Sequence, residues 1–160
     1  MKSSIRAKIL LAMLILAASA HAQLKPGQQI PKDNDNDYVR PPVSKMDIEI
    51  VKRAQEILNS PAVWNRNDNR VCPKSAKTFS LYCALKKATD EVTGNFEHRG
   101  AAMQEARFVI EDVAPRRKYE HRLMGYNNDK RTTFADIQRV FQLLNEDIVK
   151  RLAAQNSDSK

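Results

Sequence analysis

Cys72 and Cys83 share the short stretch "VCPKSAKTFSLYC" and are the only two cysteines of the chain. Thiols so placed could form a redox pair, half of a metal site or a crosslink. A redox centre wants C-x-x-C with a lowered thiol pKa. Zinc wants a second pair of ligands. Neither pattern is present, so the choice turns on the compartment. Two histidines recur in near-copies, "FEHR" (96–99) and "YEHR" (119–122), which place His98 and His121 beside Glu97 and Glu120. Paired Glu and His residues could hold a metal or do acid–base work. A helix between the copies, at 1.5 Å per residue, would hold them roughly 20 Å apart, whereas metal ligands lie about 2 Å from their ion. No common site is therefore expected unless the connector folds back. "DNDND" sets Asp33, Asp35 and Asp37 in the alternating order of a calcium loop, but Tyr38 and Ser44 stand where Gly and Glu are required. It reads as a solvated acidic turn.

Three further groups carry two readings each. Trp64, Tyr82 and Tyr126 could line a ligand groove or fill helix junctions with their N–H and O–H groups bonded to loops. Asn128 and Asp129, followed by Arg131 and Thr132, could bond the backbone of a turn or present polar groups to a site. Arg116, Arg117, Lys118, Arg122, Lys130 and Arg131 make the densest basic stretch, either a solvated face or a contact for an acidic partner. No G-x-S-x-G, H-E-x-x-H or P-loop pattern occurs. A lone glutamate can cleave glycosides without leaving a motif, but nothing in the sequence distinguishes Glu56, Glu91, Glu105 or Glu111 from one another. No catalytic residue, metal or cofactor is assigned.

The elements that must position these residues begin after a leader. Lys2, Arg6 and Lys8 precede an apolar run from Ile9 to Ala18, and "ASAHAQ" follows. This is the layout of a cleavable secretory signal, cut after Ala20 or, preferably, Ala22. Its apolar run falls short of the ~20 residues that span a bilayer. Export places the cysteines in an oxidising compartment, where one intramolecular disulfide is the expected outcome. Without the leader the charge is 24 Lys and Arg against 19 Asp and Glu, a net of +5 where the whole chain has +8. A moderate excess outside the cytoplasm suits acidic proteins or anionic envelope components better than nucleic acid.

Residues 23–43 hold four of the seven prolines and read as a flexible arm. Residues 44–152 read as one helical domain and 153–160 as a disordered tail. Ser44-x-x-Asp47 has capping spacing, and Val51, Ala54, Ile57 and Leu58 form an apolar stripe behind it. Leu81, Leu85, Ala88 and Val92 stripe a second helix over about 78–92, stopped at Gly94. Ala102, Ala106, Val109, Ile110 and Val113 stripe a third over about 100–114. Thr133-x-x-Asp136 opens the fourth, where Ile137, Phe141, Leu144, Ile148 and Leu152 give the cleanest repeat. The expected fold is all-α, a small bundle of about four helices with an irregular, disulfide-tied loop between the first two.

"ILNSPAVWN" (57–65), "SLYCALKKAT" (80–89) and "YNNDKRTTFADIQRVFQLLNEDI" (126–148) together resemble a family of small, mostly helical bacterial domains of unknown function. Its pattern, P-x-x-W, aromatic-C-A-L and N-D…R-T, falls here on Pro61, Trp64, Tyr82, Cys83, Ala84, Leu85, Asn128, Asp129, Arg131 and Thr132. The resemblance spans roughly 46–150 and implies the helical fold but no activity. The chain departs from the pattern in its leader and in Cys72, which has no counterpart there. The expected function is that of a periplasmic or secreted binding module, adaptor- or inhibitor-like. An envelope hydrolase with an unrecognised Glu/His site is the alternative.

Overall fold

The computed structural model describes residues 39–158. Residues 1–22, read as a leader, Asp33 to Asp37 and most of the stretch read as an arm lie outside the described residues. Five α-helices follow in order: α1 (Lys45–Ile57), α2 (Leu81–Thr93), α3 (Ala101–Val113), α4 (Arg122–Asn128) and α5 (Phe134–Asp158), with a 3₁₀ turn at Pro61–Val63. The all-α expectation holds, with α4 as a fifth helix inside the stretch read as a connector. A single isolated bridge pairs Trp64 with Phe79 in parallel among the described residues.

Each helix starts where its chemistry permits. At α1 the Asp47 carboxylate accepts from the Ser44 backbone N–H at 2.8 Å and hydroxyl at 2.8 Å, closing the exposed first turn. Its other oxygen accepts the Ala102 N–H at 3.0 Å, so one carboxylate binds the starts of both α1 and α3. Ser80 caps α2 by accepting the Cys83 N–H, and Gly94 ends it at φ 76°, a conformation that spares a Cβ clash only for glycine. At α5 Asp136 and Thr133 cap each other's backbone N–H groups at 2.7 and 3.2 Å.

α1 packs on α2 and α5, α3 packs on α5, and α4 closes against α3 and α2. Leu58, Leu81, Leu85, Met103, Ile110, Ile137, Phe141, Leu144 and Ile148 fill the interior. Burying each such side chain is worth about 2 kcal/mol. α3 runs through the middle, and every residue from Ala101 to Ile110 is buried, Gln104, Glu105 and Arg107 included. An amphipathic surface helix was expected there. Val113, expected inside, is instead 36 % exposed at the helix end.

Two boundaries differ from the sequence reading. Residues 39–43, expected to belong to the flexible arm, lie across α3 and α5: Val43 is buried, and its N–H and C=O both bond the Gln155 side-chain amide, at 3.0 and 3.2 Å. Arg151 donates to the Pro41 carbonyl at 3.0 Å. α5 then continues as helix to Asp158, through residues read as a disordered tail, and its Gln155 bonds the strap at Val43. No described helix is long and apolar enough to cross a membrane.

Candidate functional site

The loop between α1 and α2 is held at both ends. The Cys72–Cys83 disulfide is formed, with 5.4 Å between Cα atoms. At the other end the Asn128 side chain accepts the Asp68 N–H at 2.8 Å and donates to the Asp68 carbonyl at 2.8 Å. Between them sits Arg70, the one described non-glycine residue with positive φ, at 61°. The Asp68 carboxylate stabilises that conformation by accepting the Arg70 N–H at 2.7 Å. Burial pushes the Asp68 carboxyl above its ordinary pKa, against the bonds from the Arg70 backbone and from Ser80.

Asn127, next to the two turn residues the sequence singled out, is the centre of this region. Its Oδ1 accepts from Trp64 Nε1 at 2.9 Å and from the Leu81 N–H at 3.0 Å. Its Nδ2 donates to the Asn65 carbonyl at 2.9 Å and to Asn128 Oδ1 at 3.0 Å. All four hydrogen-bonding positions of the amide are used, and the residue is wholly buried. Trp64 is accordingly a junction residue, its ring tilted on Phe134 at 6.0 Å and covered by Arg66 at 4.9 Å. Tyr82 packs edge-on to Phe96 at 6.2 Å, and Tyr126 edge-on to Tyr119 at 6.4 Å. The three aromatics thus close on three different partners. Burial pushes the Tyr126 phenol up to about 12.

The basic connector is divided. Arg131 grips Asp129 through Nε at 3.0 Å and Nη2 at 2.7 Å. Those bonds, with the Arg131 backbone N–H and the Tyr119 hydroxyl, hold the Asp129 carboxyl far below the usual range. Arg117 lies 3.7 Å from the same carboxylate. Arg122 pairs with Glu111 at 2.6 Å and covers the Phe108 ring at 5.6 Å. Three of the six cations are therefore spent within the fold. Arg116, Lys118 and Lys130 are exposed, and no described carboxylate pairs with them. The Tyr119 hydroxyl, donating to Asp129 at 2.8 Å, ties the segment carrying Arg116 and Lys118 to the one carrying Lys130.

The two histidines do meet, contrary to the separation expected for them. The segment after α3 folds back, so Arg70 Nη1 lies 3.2 Å from His121 Nδ1 and Nη2 lies 3.2 Å from His98 Nε2. Arg107 Nη2 approaches the same His98 nitrogen at 2.9 Å. Guanidinium groups only donate, so each facing ring nitrogen accepts. What lies between the two rings is the Arg70 guanidinium. The cavity between these residues and Tyr82 has about 10 Å³, room for about one water at most. Among the described residues no group of three His, Cys, Asp or Glu is placed to hold a metal.

Glu56, Glu91, Glu105 and Glu111 are each engaged. Glu56 and Glu91 both bind Arg53, at 2.9 and 2.7 Å, and Glu91 also takes Lys87 at 2.5 Å. Those bonds hold Glu91 below its ordinary pKa, the wrong direction for a general acid. Glu111 binds Arg122. Glu105 is wholly buried on α3, bonded to Arg151 and 3.5 Å from Arg40. Burial outweighs both arginines and raises its pKa. Arg40 also stacks on Phe108 at 4.2 Å, so Glu105 and Phe108 together anchor the strap.

Sequence reasoning missed Asn127, Arg70 and Arg107, and it named Glu105 without setting it apart from the other helical glutamates. Arg107 and Glu105 alone left a signal, as charged residues within α3. The class these features define is an all-α domain with a disulfide-stapled loop, its polar interior organised around Asn127 and Arg70. No family model, curated protein or solved structure matches the chain.

Proposed function

We propose that the mature chain is an exported, non-enzymatic binding module whose partner is an acidic protein or an anionic envelope component. The observation that carries this reading is the division of the connector: Arg117, Arg122 and Arg131 are consumed by internal carboxylates and ring contacts, while Arg116, Lys118 and Lys130 remain exposed on adjoining segments. Outward cations gathered on a rigid scaffold steer and orient an anionic partner. The disulfide and the absence of a described helix able to cross a membrane are consistent with an extracytoplasmic protein, and the leader-like first 22 residues support export. The competing hydrolase reading has less to rest on, because Glu56, Glu91, Glu105 and Glu111 sit in ion pairs and the histidines face a guanidinium in a cavity too small for a substrate.

The test is a pull-down from envelope extract with the oxidised mature protein, at low and high salt, beside the triple variant R116E/K118E/K130E. A partner held at low salt, released at high salt and absent with the variant supports the reading. Recovery of no partner, together with release of soluble products from cell-wall material, would overturn it.

A further inference from the structure

The disulfide that staples the α1–α2 loop also lines a cleft. The opening has about 340 Å³ and lies between this loop and α2, at the lower end of the range for small-ligand sites. Its apolar lining is contributed by Cys72, Cys83, Pro73 and Phe79. The Phe79 backbone is fixed, because its N–H donates to the Val63 carbonyl at 2.7 Å and its carbonyl accepts the Asn65 N–H at 2.9 Å. Its ring nevertheless stays only half-buried. The rim carries three ammonium groups, those of Lys74, Lys86 and Lys87, and two carboxylates, Asp90 and Glu91.

These charges are not equivalent. Lys86 pairs with Asp90 at 2.7 Å and Lys87 with Glu91 at 2.5 Å, each one turn along α2. Lys86 also lies 4.7 Å over the Phe96 ring. Lys74 is exposed, and no described carboxylate pairs with it. An apolar lining beside one uncompensated cation selects for a ligand with an apolar body and a single negative charge. A neutral apolar ligand would leave Lys74 unanswered, and a cation would meet it with repulsion. A dianion would bring its second charge against Asp90 and Glu91.

From this arrangement we infer that the cleft between the stapled loop and α2 is a binding site for a small monoanionic amphiphile, an acyl-chain carboxylate. The chain lies on the disulfide, Pro73 and Phe79, and the carboxylate meets the ammonium of Lys74. The site shares no residue with the basic connector, so it stands or falls independently of the proposed macromolecular partner.

Octanoate, octan-1-ol and octylammonium are the probes, each titrated into the ¹⁵N-labelled, oxidised mature protein while amide shifts are followed. The expected result is a saturable shift with octanoate at Lys74, Phe79 and Lys86, with octan-1-ol weaker and octylammonium weakest. Lys74→Glu is expected to weaken octanoate roughly tenfold, while Lys45→Glu, at the start of α1, leaves it unchanged. Both substitutions are at exposed positions, and unchanged amide dispersion verifies that each variant is folded. No saturable shift with octanoate, equal response to all three probes, or equal binding by Lys74→Glu would each overturn the site.

Discussion

Asn127 shows how much of this domain hangs on one side chain. The amide joins Trp64, the start of α2 and the loop carbonyl of Asn65, and water cannot replace it because the residue is wholly buried. Asn127→Ala strands the Leu81 N–H and the indole N–H together, so a loss of about 3 kcal/mol is expected. Urea unfolding followed by Trp64, the single tryptophan, measures it. A loss under about 1 kcal/mol would show that the network is not structural. Gly125 is the second such point, for a steric reason: a Cβ there would come within 2.6 Å of the Tyr119 ring. Gly125→Ala must push that ring off its bond to Asp129, and a loss of about 2 kcal/mol is expected. The ring resonances of Tyr119 should shift in the NMR spectrum of the variant; unmoved resonances would contradict the steric argument.

At the scale of elements, what could be read from the sequence followed the strength of the local signal. The stripes of α1, α2 and α5 and the caps at Ser44, Thr133 and Gly94 are local, and the structure has them. α4 was not legible, because a helix of seven residues carries fewer than two full apolar repeats. Arg70 and the two histidines were not legible either. Their meeting depends on the chain after α3 reversing, which no short-range pattern encodes. The strap was misread because proline-rich composition signals extended chain and says nothing of what Gln155 and Arg151 will bind. The staple itself was legible from the two cysteines and a leader-like N-terminus, which together led to the expectation of a disulfide. Its removal by Cys72→Ser with Cys83→Ser is expected to cost about 3 kcal/mol in the chain-entropy model. Hydrogen exchange should quicken most in the 65–77 loop, while core amides of α3 and α5 quicken by no more than the global loss of stability. A loop that quickens no more than α3 and α5 would contradict the assignment of the disulfide to the loop.

Over the whole molecule, the buried charges oppose one another as the pH falls. Asp129 is held low, so its stabilisation is complete above its unfolded pKa of about 4 and fades as pH drops toward its folded one. Asp68 and Glu105 are raised by burial, so their ionised forms cost stability at neutral pH. That cost is relieved as pH falls through their folded values. Asp68→Asn is therefore expected to gain on the wild type at neutral pH and to lose that advantage by about pH 4. Asp129→Asn is expected to be weakened at neutral pH and to converge with the wild type under acid conditions. Urea titrations across this range measure both differences, and a pH-independent difference in either variant would contradict the burial argument.

Pairing with Asp129 and Glu111 leaves Arg116, Lys118 and Lys130 as the exposed cations of the connector that no described carboxylate pairs, and the proposed function rests on that remainder. The most direct measurement is the salt dependence of affinity for the recovered partner, wild type against R116E/K118E/K130E. The account expects wild-type affinity to fall steadily with rising salt, and the variant to bind weakly at every salt concentration. Affinity that ignores both salt and the three substitutions would contradict it.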